Sequence, residues 1–325
     1  MIYIETGSTD VYYNFGLEYY FTAEKKLSEP VFLFWRTTPT LMIGKYQNTL
    51  EEINKKYVDA HNIHIVRRLS GGGTIYTDLG GWQFSFITQG DSDSIQFQQY
   101  LTPVLDALQG MGIPAEFNGR NDLTVEGKKF SGNAQYKLAG ATVHHGSLLF
   151  DTNIEQMVAS TTVDEYKILS KSIKSVHDRV TNLTEHLEAP MTAEEFKQRM
   201  VTAILNGGSV YQVTEADDRR IRQLAAEHFD NWDKKFGASP KFSMERQGRF
   251  AGGRFRVNLN VQQGKIADIA FSGDFFSAID MDLVRDRLIG CPYRKDAVAE
   301  VLRRYAGADG VYGITLDEMV DTIVE

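Results

Sequence analysis

Three short segments hold the residues best suited to chemistry. The first, RRLSGGGTIYTDLGG from Arg67 to Gly81, sets two arginines ahead of three consecutive glycines. Residues without side chains let a backbone approach a ligand closely and turn N–H donors toward an anion. Arg67 and Arg68 supply positive charge beside them. The bland alternative is a glycine-rich turn next to a solvated arginine pair. No Gly-Lys-Ser/Thr follows at the spacing of a Walker loop, and no helical pattern begins there, so a dinucleotide fingerprint is excluded too. The second segment, GRNDLTVEGKKFSGNAQ from Gly119 to Gln135, holds Asn121 and Asp122, hard oxygen donors suited to Mg²⁺, and the pair Lys128-Lys129. Taken singly, Asn-Asp favours turns and a lysine pair favours a solvated surface. The third, HHGSLLF, puts His144 and His145 next to each other on a predicted strand. Neighbouring strand residues point to opposite faces, so the two cannot chelate one metal, and at least one should be packed or hydrogen-bonded. With no further His/Cys cluster, a zinc site is not indicated.

The elements that must position these residues follow from hydrophobic patterning. VFLFWR and TLMIGK read as strands joined by Thr-Thr-Pro. LEEINKKYVDA places Leu50, Ile53, Tyr57 and Ala60 on one helical face. IHIVRR and WQFSFIT read as strands on either side of the glycine run. A helix is predicted between Ile95 and Met111, with Leu101, Val104, Leu105 and Leu108 inward and Gly110 and Gly112 ending it. ATVHHGSLLF is a further strand. Thr192 and Glu195 form a capping box ahead of Phe196, Met200 and Ile204. Strands not regularly separated by helices predict an α+β fold rather than a doubly wound sheet. The composition shifts near Phe236-Gly237-Ala238-Ser239-Pro240. Beyond it a hairpin turns at Gln262-Gln263-Gly264-Lys265, and three helices follow, Met281 to Leu288, Lys295 to Tyr305 and Leu316 to Val324. Two units are expected, 1–243 and a smaller α+β unit over 248–325.

The 325 residues are 42% hydrophobic and 24% charged, which fits a globular protein and excludes disordered and low-complexity classes. Lys plus Arg is 35 against 43 acidic residues, a net −8, so general nucleic-acid binding is not expected. A single cysteine, Cys291, excludes a disulfide framework. No basic leader opens the sequence, and no run approaches the roughly 18–20 apolar residues of a membrane span. A cytoplasmic protein is expected.

Taken in order, RRLSGGGTIYTDLGG, GRNDLTVEGKKFSGNA, HHGSLLF and SVHDRVTNL (Ser175 to Leu183) resemble the motifs of the lipoate–protein ligase family. FSGDFF and LIGCPYRKDAV resemble the C-terminal accessory domain of its bacterial members. The resemblance implies a mixed-sheet biotin/lipoate ligase-like catalytic domain and a two-step reaction. Lipoate and ATP give lipoyl-AMP and pyrophosphate, and the acyl group then moves to a carrier lysine. It implies that Lys129 is catalytic, bridging the lipoate carboxylate and the α-phosphate. Arg68, Gly73, Thr74, Ile75, Tyr76 and Asp122 would hold ATP, and Asp122 with Asn121 would hold Mg²⁺. Ser70, Gly71, Gly72, Thr77, His145, Trp35 and Leu17 would contact lipoate, with plain core packing the alternative for Trp35 and Leu17. The implied partners are lipoyl carrier domains, namely the glycine cleavage H protein and 2-oxoacid dehydrogenase acyltransferase subunits.

The chain departs from the pattern at two places. Thr77-Asp78 stands where His-Asp is usual, and Gly80-Gly81-Trp82-Gln83 where Gly-Asn-Leu-Asn is usual. Thr77 points to a change in acyl preference or carboxylate positioning, and Gly81 with bulky Trp82 to a reshaped loop. Together they suggest a specialised paralogue rather than lost activity. The rivals are an octanoyl or lipoyl transferase without ATP, which would need a cysteine nucleophile, and a non-catalytic acyl or nucleotide sensor. Biotin ligation is disfavoured because GRGRxGRxW is absent.

Overall fold

The computed structural model describes residues 1–90, 94–161, 174–231, 234–235, 244–306 and 311–324. Its strands are β1 Ile2–Ile4, β2 Val31–Trp35, β3 Thr40–Ile43, β4 His64–Arg67, β5 Ile75–Thr77, β6 Gly81–Gln89, β7 Glu116–Phe117, β8 Asp122–Val125, β9 Lys128–Leu138, β10 Ala141–Leu149, β11 Ser209–Tyr211, β12 Met244–Phe250, β13 Gly253–Gln262 and β14 Lys265–Gly273. The helices are α1 Val11–Ala23, α2 Thr49–Glu52, α3 Lys55–Ala60, α4 Gln98–Gln109, α5 Ile154–Thr161, α6 Ala193–Leu205, α7 Glu215–His228, α8 Met281–Leu288, α9 Lys295–Tyr305 and α10 Leu316–Val324.

A mixed eight-stranded sheet runs in the order β11-β1-β2-β6-β10-β9-β8-β7. Its middle strand β6 is buried along seven consecutive residues, Gly81 to Ile87, because helices cover both faces. On one face α4 and α6 pack over an aromatic ladder. There Phe32 sits opposite Phe86 and Phe34 opposite Phe84, and the Phe34 and Trp82 rings stack at 4.9 Å. Each such pair adds about 0.5–1.5 kcal/mol beyond area burial. On the other face α1 is wedged between the sheet and α7, so it buries residues all round, including polar Asn14 and Glu18. A small sheet, β4-β3-β5, carries the glycine run between β4 and β5. A third, antiparallel sheet, β12-β13-β14, packs its apolar face against α8, α9 and α10 around a separate core.

The α+β reading and most elements stand, and the three C-terminal helices have the expected ends. The predicted turn takes left-handed backbone at Gln263 and Gly264, as a tight right-twisted hairpin requires. The strands read on either side of Thr37-Thr38-Pro39 form as β2 and β3, which enter different sheets. Two expectations need correction. The stretch read as one helix is broken into α2 and α3, because the Asn54 side chain accepts the Tyr57 N–H and caps a new start. The C-terminal sheet begins at Met244, ahead of residue 248, since β12 pairs with β13 from Met244 opposite Leu259. The composition shift at 236–240 lies outside the described residues.

Candidate active site

The glycine run arches from β4 to β5 without a helix. Arg68 staples it: its guanidinium donates to Met42 O (2.7 Å), Gly71 O (2.8 Å), Gly73 O (2.7 Å) and Ser70 Oγ (3.1 Å). Burial and neighbouring Arg67 push its pKa down to about 10, so it stays charged at neutral pH. Arg67 turns the other way. It donates to the carbonyls of Gly44, Gln47 and Lys234 at 2.9, 2.6 and 2.9 Å and to Thr49 Oγ1 at 2.7 Å. Both arginines thus spend donors on local oxygens, and of the two only Arg68 lines a cavity beside the run. The expectation that the pair stands ready for an anion fails for Arg67, which lines neither cavity there.

Two cavities meet beside the run. The first, about 610 Å³ with its open mouth included, has an apolar wall of Phe15, Trp35, Met42, Ile75 and Phe84 and a polar side with His145, Asn133 and Gln83. The second, about 880 Å³ on the same measure, is bounded by Tyr76, Phe130, Leu149, Met157 and Val180. Thr74, Ile75, Gly132, Ser147 and Lys129 line both.

Lys129 is fixed through its backbone. Its N–H donates to Arg179 O (2.8 Å) and its carbonyl accepts from Thr181 N–H (3.0 Å), so the SVHDRVTNL segment lies alongside it as a parallel bridge at Val180. Its ammonium pairs with Asp122 Oδ1 at 2.7 Å. Asp122 sits opposite Gly132 across the β8–β9 ladder, which explains how residues seven apart in sequence meet. Asn121 lines the first cavity and donates through Nδ2 to Asn133 O at 3.1 Å. Among the described residues no three His, Cys, Asp or Glu side chains gather as a metal cluster.

The two histidines part as expected. His144 is stacked on Tyr100 at 4.9 Å within an aromatic cluster, and burial together with His145 pushes its pKa well down, leaving it neutral. His145 faces the first cavity. Its Nε2 lies 2.6 Å from Ser70 Oγ, and its Nδ1 lies 3.3 Å from both oxygens of Glu18. Glu18 also accepts from Tyr136 Oη at 2.9 Å and from Ser85 Oγ. Burial raises the Glu18 pKa, but the charge and hydrogen bond of His145 and the two hydroxyl bonds outweigh it, so the carboxylate sits below its usual range.

The other expected residues separate. Trp35 and Gly72 join Gly73 and Thr74 on the first cavity, and Tyr76 reaches the second. Leu17 does not line either; it packs in the core behind Phe15, the α1 residue that does. Thr77 is buried and accepts from Gln83 Nε2 at 2.8 Å. Gly71 meets the C-terminal unit: a Cβ there would stand 2.2 Å from Phe275 O, while Gly72 N–H donates to that carbonyl at 2.9 Å and Phe276 lines the first cavity. Sequence reasoning missed Glu18 and Phe276 as site residues, and it named Gln83 within a departing segment without giving it a place in the site. A glutamate inside the apolar stretch NFGLEYYF and a glutamine inside WQFSFIT were the available signals, since a polar side chain placed among core residues needs a partner.

Residues 10–205 match the family described as the lipoyl protein ligase A/B catalytic domain, and residues 239–323 match the bacterial lipoate protein ligase C-terminus. The chain is 39% identical to lipoate-protein ligase LplJ of Bacillus subtilis, over 99% of this chain and 100% of that one. It is 38% identical to lipoate–protein ligase 1 of Staphylococcus aureus, over 91% and 92%. Among solved structures it resembles P. falciparum LipL1 in complex with lipoate, with a TM-score of 0.81 at 23% identity over 99% of both chains. It also resembles a lipoate-protein ligase A bound with ATP, with a TM-score of 0.60 at 22% identity over 73% of this chain and 97% of that one. These two likenesses establish the fold. With both sequence units matched in order and the motif residues gathered around Lys129, the chain belongs to the lipoate–protein ligase family.

Proposed function

We propose that this chain activates lipoate with ATP to lipoyl-AMP and transfers the lipoyl group to a carrier lysine, with Lys129 as the catalytic cation. The observation that carries this reading is that Lys129 lines both cavities at their junction. The apolar first cavity suits the acyl chain and the second suits the nucleotide. Activation brings a carboxylate against an α-phosphate, and a fixed ammonium between them offsets the repulsion of two anions. In the first step a carboxylate oxygen bonds to the α-phosphorus and pyrophosphate leaves. In the second the carrier's ε-amine bonds to the acyl carbon, AMP leaves, and the amine gives up a proton. The mixed anhydride is already activated, so transfer asks mainly for orientation of the amine and for no enzyme nucleophile.

Thr74, Ile75 and Tyr76 bound the nucleotide side, while Arg68 acts by holding the glycine run in shape. One carboxylate with substrate phosphates is a usual Mg²⁺ environment, and Asp122, with Asn121 beside it, fits that pattern. The ion would neutralise phosphate charge there. His145 supplies the polar edge of the acyl cavity, and Ser70, fully buried behind it and lining neither cavity, holds its Nε2. The acceptors are lipoyl carrier domains, the glycine cleavage H protein and 2-oxoacid dehydrogenase acyltransferase subunits. An archaeal structural relative, at 23% identity, is described as a bi-partite lipoate protein ligase with its E2 lipoyl domain, which supports this class of partner. A cytoplasmic setting accords with a buried free thiol at Cys291 and with use of ATP.

The test is lipoate-dependent ATP–pyrophosphate exchange, followed by intact mass of carrier domains after incubation with Mg-ATP and lipoate. Wild type should exchange and add one lipoyl group. Lys129→Met should lose both activities by roughly 10²–10³-fold while keeping its thermal midpoint. A folded wild type that exchanges no pyrophosphate would end the ligase reading, and a fully active Lys129→Met would end the assignment of the cation.

A further inference from the structure

The departures at Thr77, Gly81 and Gln83, separate in the sequence pattern, converge at one point on the wall of the acyl cavity. Gln83 lines that cavity and is only 4% exposed. On β6 it stands in register with Trp35 of β2 and Ser147 of β10, both of which line the cavity as well. Its Nε2 donates to Thr77 Oγ1 at 2.8 Å, and Thr77 lies behind the wall at 1% exposure. Gly81 makes room for this bond. A Cβ there would stand 2.9 Å from Thr77 Oγ1 and 3.1 Å from Thr152 Oγ1, tight enough to displace the hydroxyl that receives the amide. The three residues therefore form one compensated set, in which a glycine admits a threonine and the threonine holds a glutamine.

A carboxamide carries two N–H donors and a carbonyl that accepts. Among the described residues the Gln83 side chain makes this single hydrogen bond, which leaves one N–H and the carbonyl oxygen for what enters the cavity. The nearby wall of Phe15, Trp35, Met42 and Phe84 offers only apolar contact and an indole. A saturated chain pressed onto the amide removes its water and returns nothing, a poor exchange for a buried polar group. A chain carrying sulfur presents a polarisable, weakly accepting atom and recovers part of the loss.

We propose that Gln83, positioned by Thr77, determines acyl specificity by favouring a sulfur-bearing chain over a saturated chain of equal length. The proposal rests on the ligase reading and specifies the substrate class of its acyl cavity. Gln83 touches the substrate; Thr77 acts through it.

The experiment measures kcat and KM for pyrophosphate exchange by the full chain, with lipoate and with octanoate at saturating Mg-ATP. Gln83→Leu, of similar volume and without the amide, should lower the lipoate-to-octanoate ratio of kcat/KM about tenfold, the equivalent of about 1.4 kcal/mol. Most of that change should come from a lower KM for octanoate. Thr77→Val should shift the ratio in the same direction, and Thr77→Ser, which keeps the hydroxyl, should restore it. A purely structural role would change thermal midpoints and leave the ratio alone. If Gln83→Leu does not fold, the Thr77 pair decides. The proposal is overturned if folded Thr77→Val and Gln83→Leu both keep the wild-type ratio. A wild type that exchanges with neither acid is a separate outcome, which overturns the ligase reading and this proposal with it.

Discussion

Replacing Glu18 with glutamine should destabilise the folded chain at neutral pH, and the penalty should fade in acid. Glu18 is 1% exposed and accepts from three sides: Tyr136 Oη on Oε1 at 2.9 Å, Ser85 Oγ on Oε2, and His145 Nδ1 at 3.3 Å from both oxygens. A hydrogen bond to a charged group contributes about 1.5–3 kcal/mol. Glutamine keeps the shape and one acceptor but turns the other oxygen into an NH₂ group, which faces a donor. One or two of the three bonds are lost, so a cost of about 2–4 kcal/mol follows. The pH dependence has a fixed sign. The folded carboxyl lies below its ordinary value of 4.5, so its stabilisation is complete above that value and disappears as pH falls through the folded pKa. The gap between wild type and Glu18→Gln should therefore be flat near neutrality and narrow below about pH 4.5. Urea unfolding followed by tryptophan fluorescence from pH 7 to pH 4 measures it, with Trp35 reporting because it packs against Phe15 on α1. Since Glu18 holds His145 at the cavity wall, KM for lipoate should rise in the same variant. Coincident unfolding curves at pH 7, or a gap that stays constant down to pH 4, would refute the reasoning.

Two further outcomes follow from the same geometry. Arg67→Met strands the carbonyls of Gly44, Gln47 and Lys234, so stability should fall by about 3–5 kcal/mol with little change in KM for ATP. A raised KM at an unchanged thermal midpoint would instead return Arg67 to the anion site. Cys291→Ser should retain full lipoyl transfer, because the thiol is buried in the C-terminal core and burial raises its pKa, keeping it protonated. Loss of transfer in the folded variant would favour the thioester route.

What could be read from the sequence was what is local. The Thr192–Glu195 box and the alternation of Phe255, Val257 and Leu259 each depend on near neighbours, and both appear as expected. The split of His144 from His145 needed only strand periodicity. What escaped was what depends on distant partners. Arg67 and Arg68 look alike in sequence, yet one ends on the β3 exit and the other on the glycine run. Leu17 and Phe15 are both apolar residues of a helix buried all round, so periodicity could not say which one faces the cavity. Glu18 becomes interpretable only when β6, β9 and β10 bring Ser85, Tyr136 and His145 to it, across 67 to 127 residues of sequence.

The glycine run shows how one motif can answer to two demands at once. In the sequence, three glycines argue for close approach of a ligand. In the fold, two of them also allow close approach of the C-terminal unit. A Cβ at Gly71 would collide with the Phe275 backbone, and one at Gly72, already at φ +92°, would stand 2.5 Å from the Phe276 ring. Phe276 then closes part of the first cavity, and the Tyr46 ring stacks on Phe275 at 4.5 Å beside the contact. The Gly72 N–H points at the Phe275 carbonyl, and one N–H aimed at one acceptor cannot serve an incoming anion in the same geometry. Any ligand oxygen that takes this donor must displace that carbonyl. Docking of the C-terminal unit and anion binding at Gly72 are therefore competing uses of a single hydrogen-bond donor.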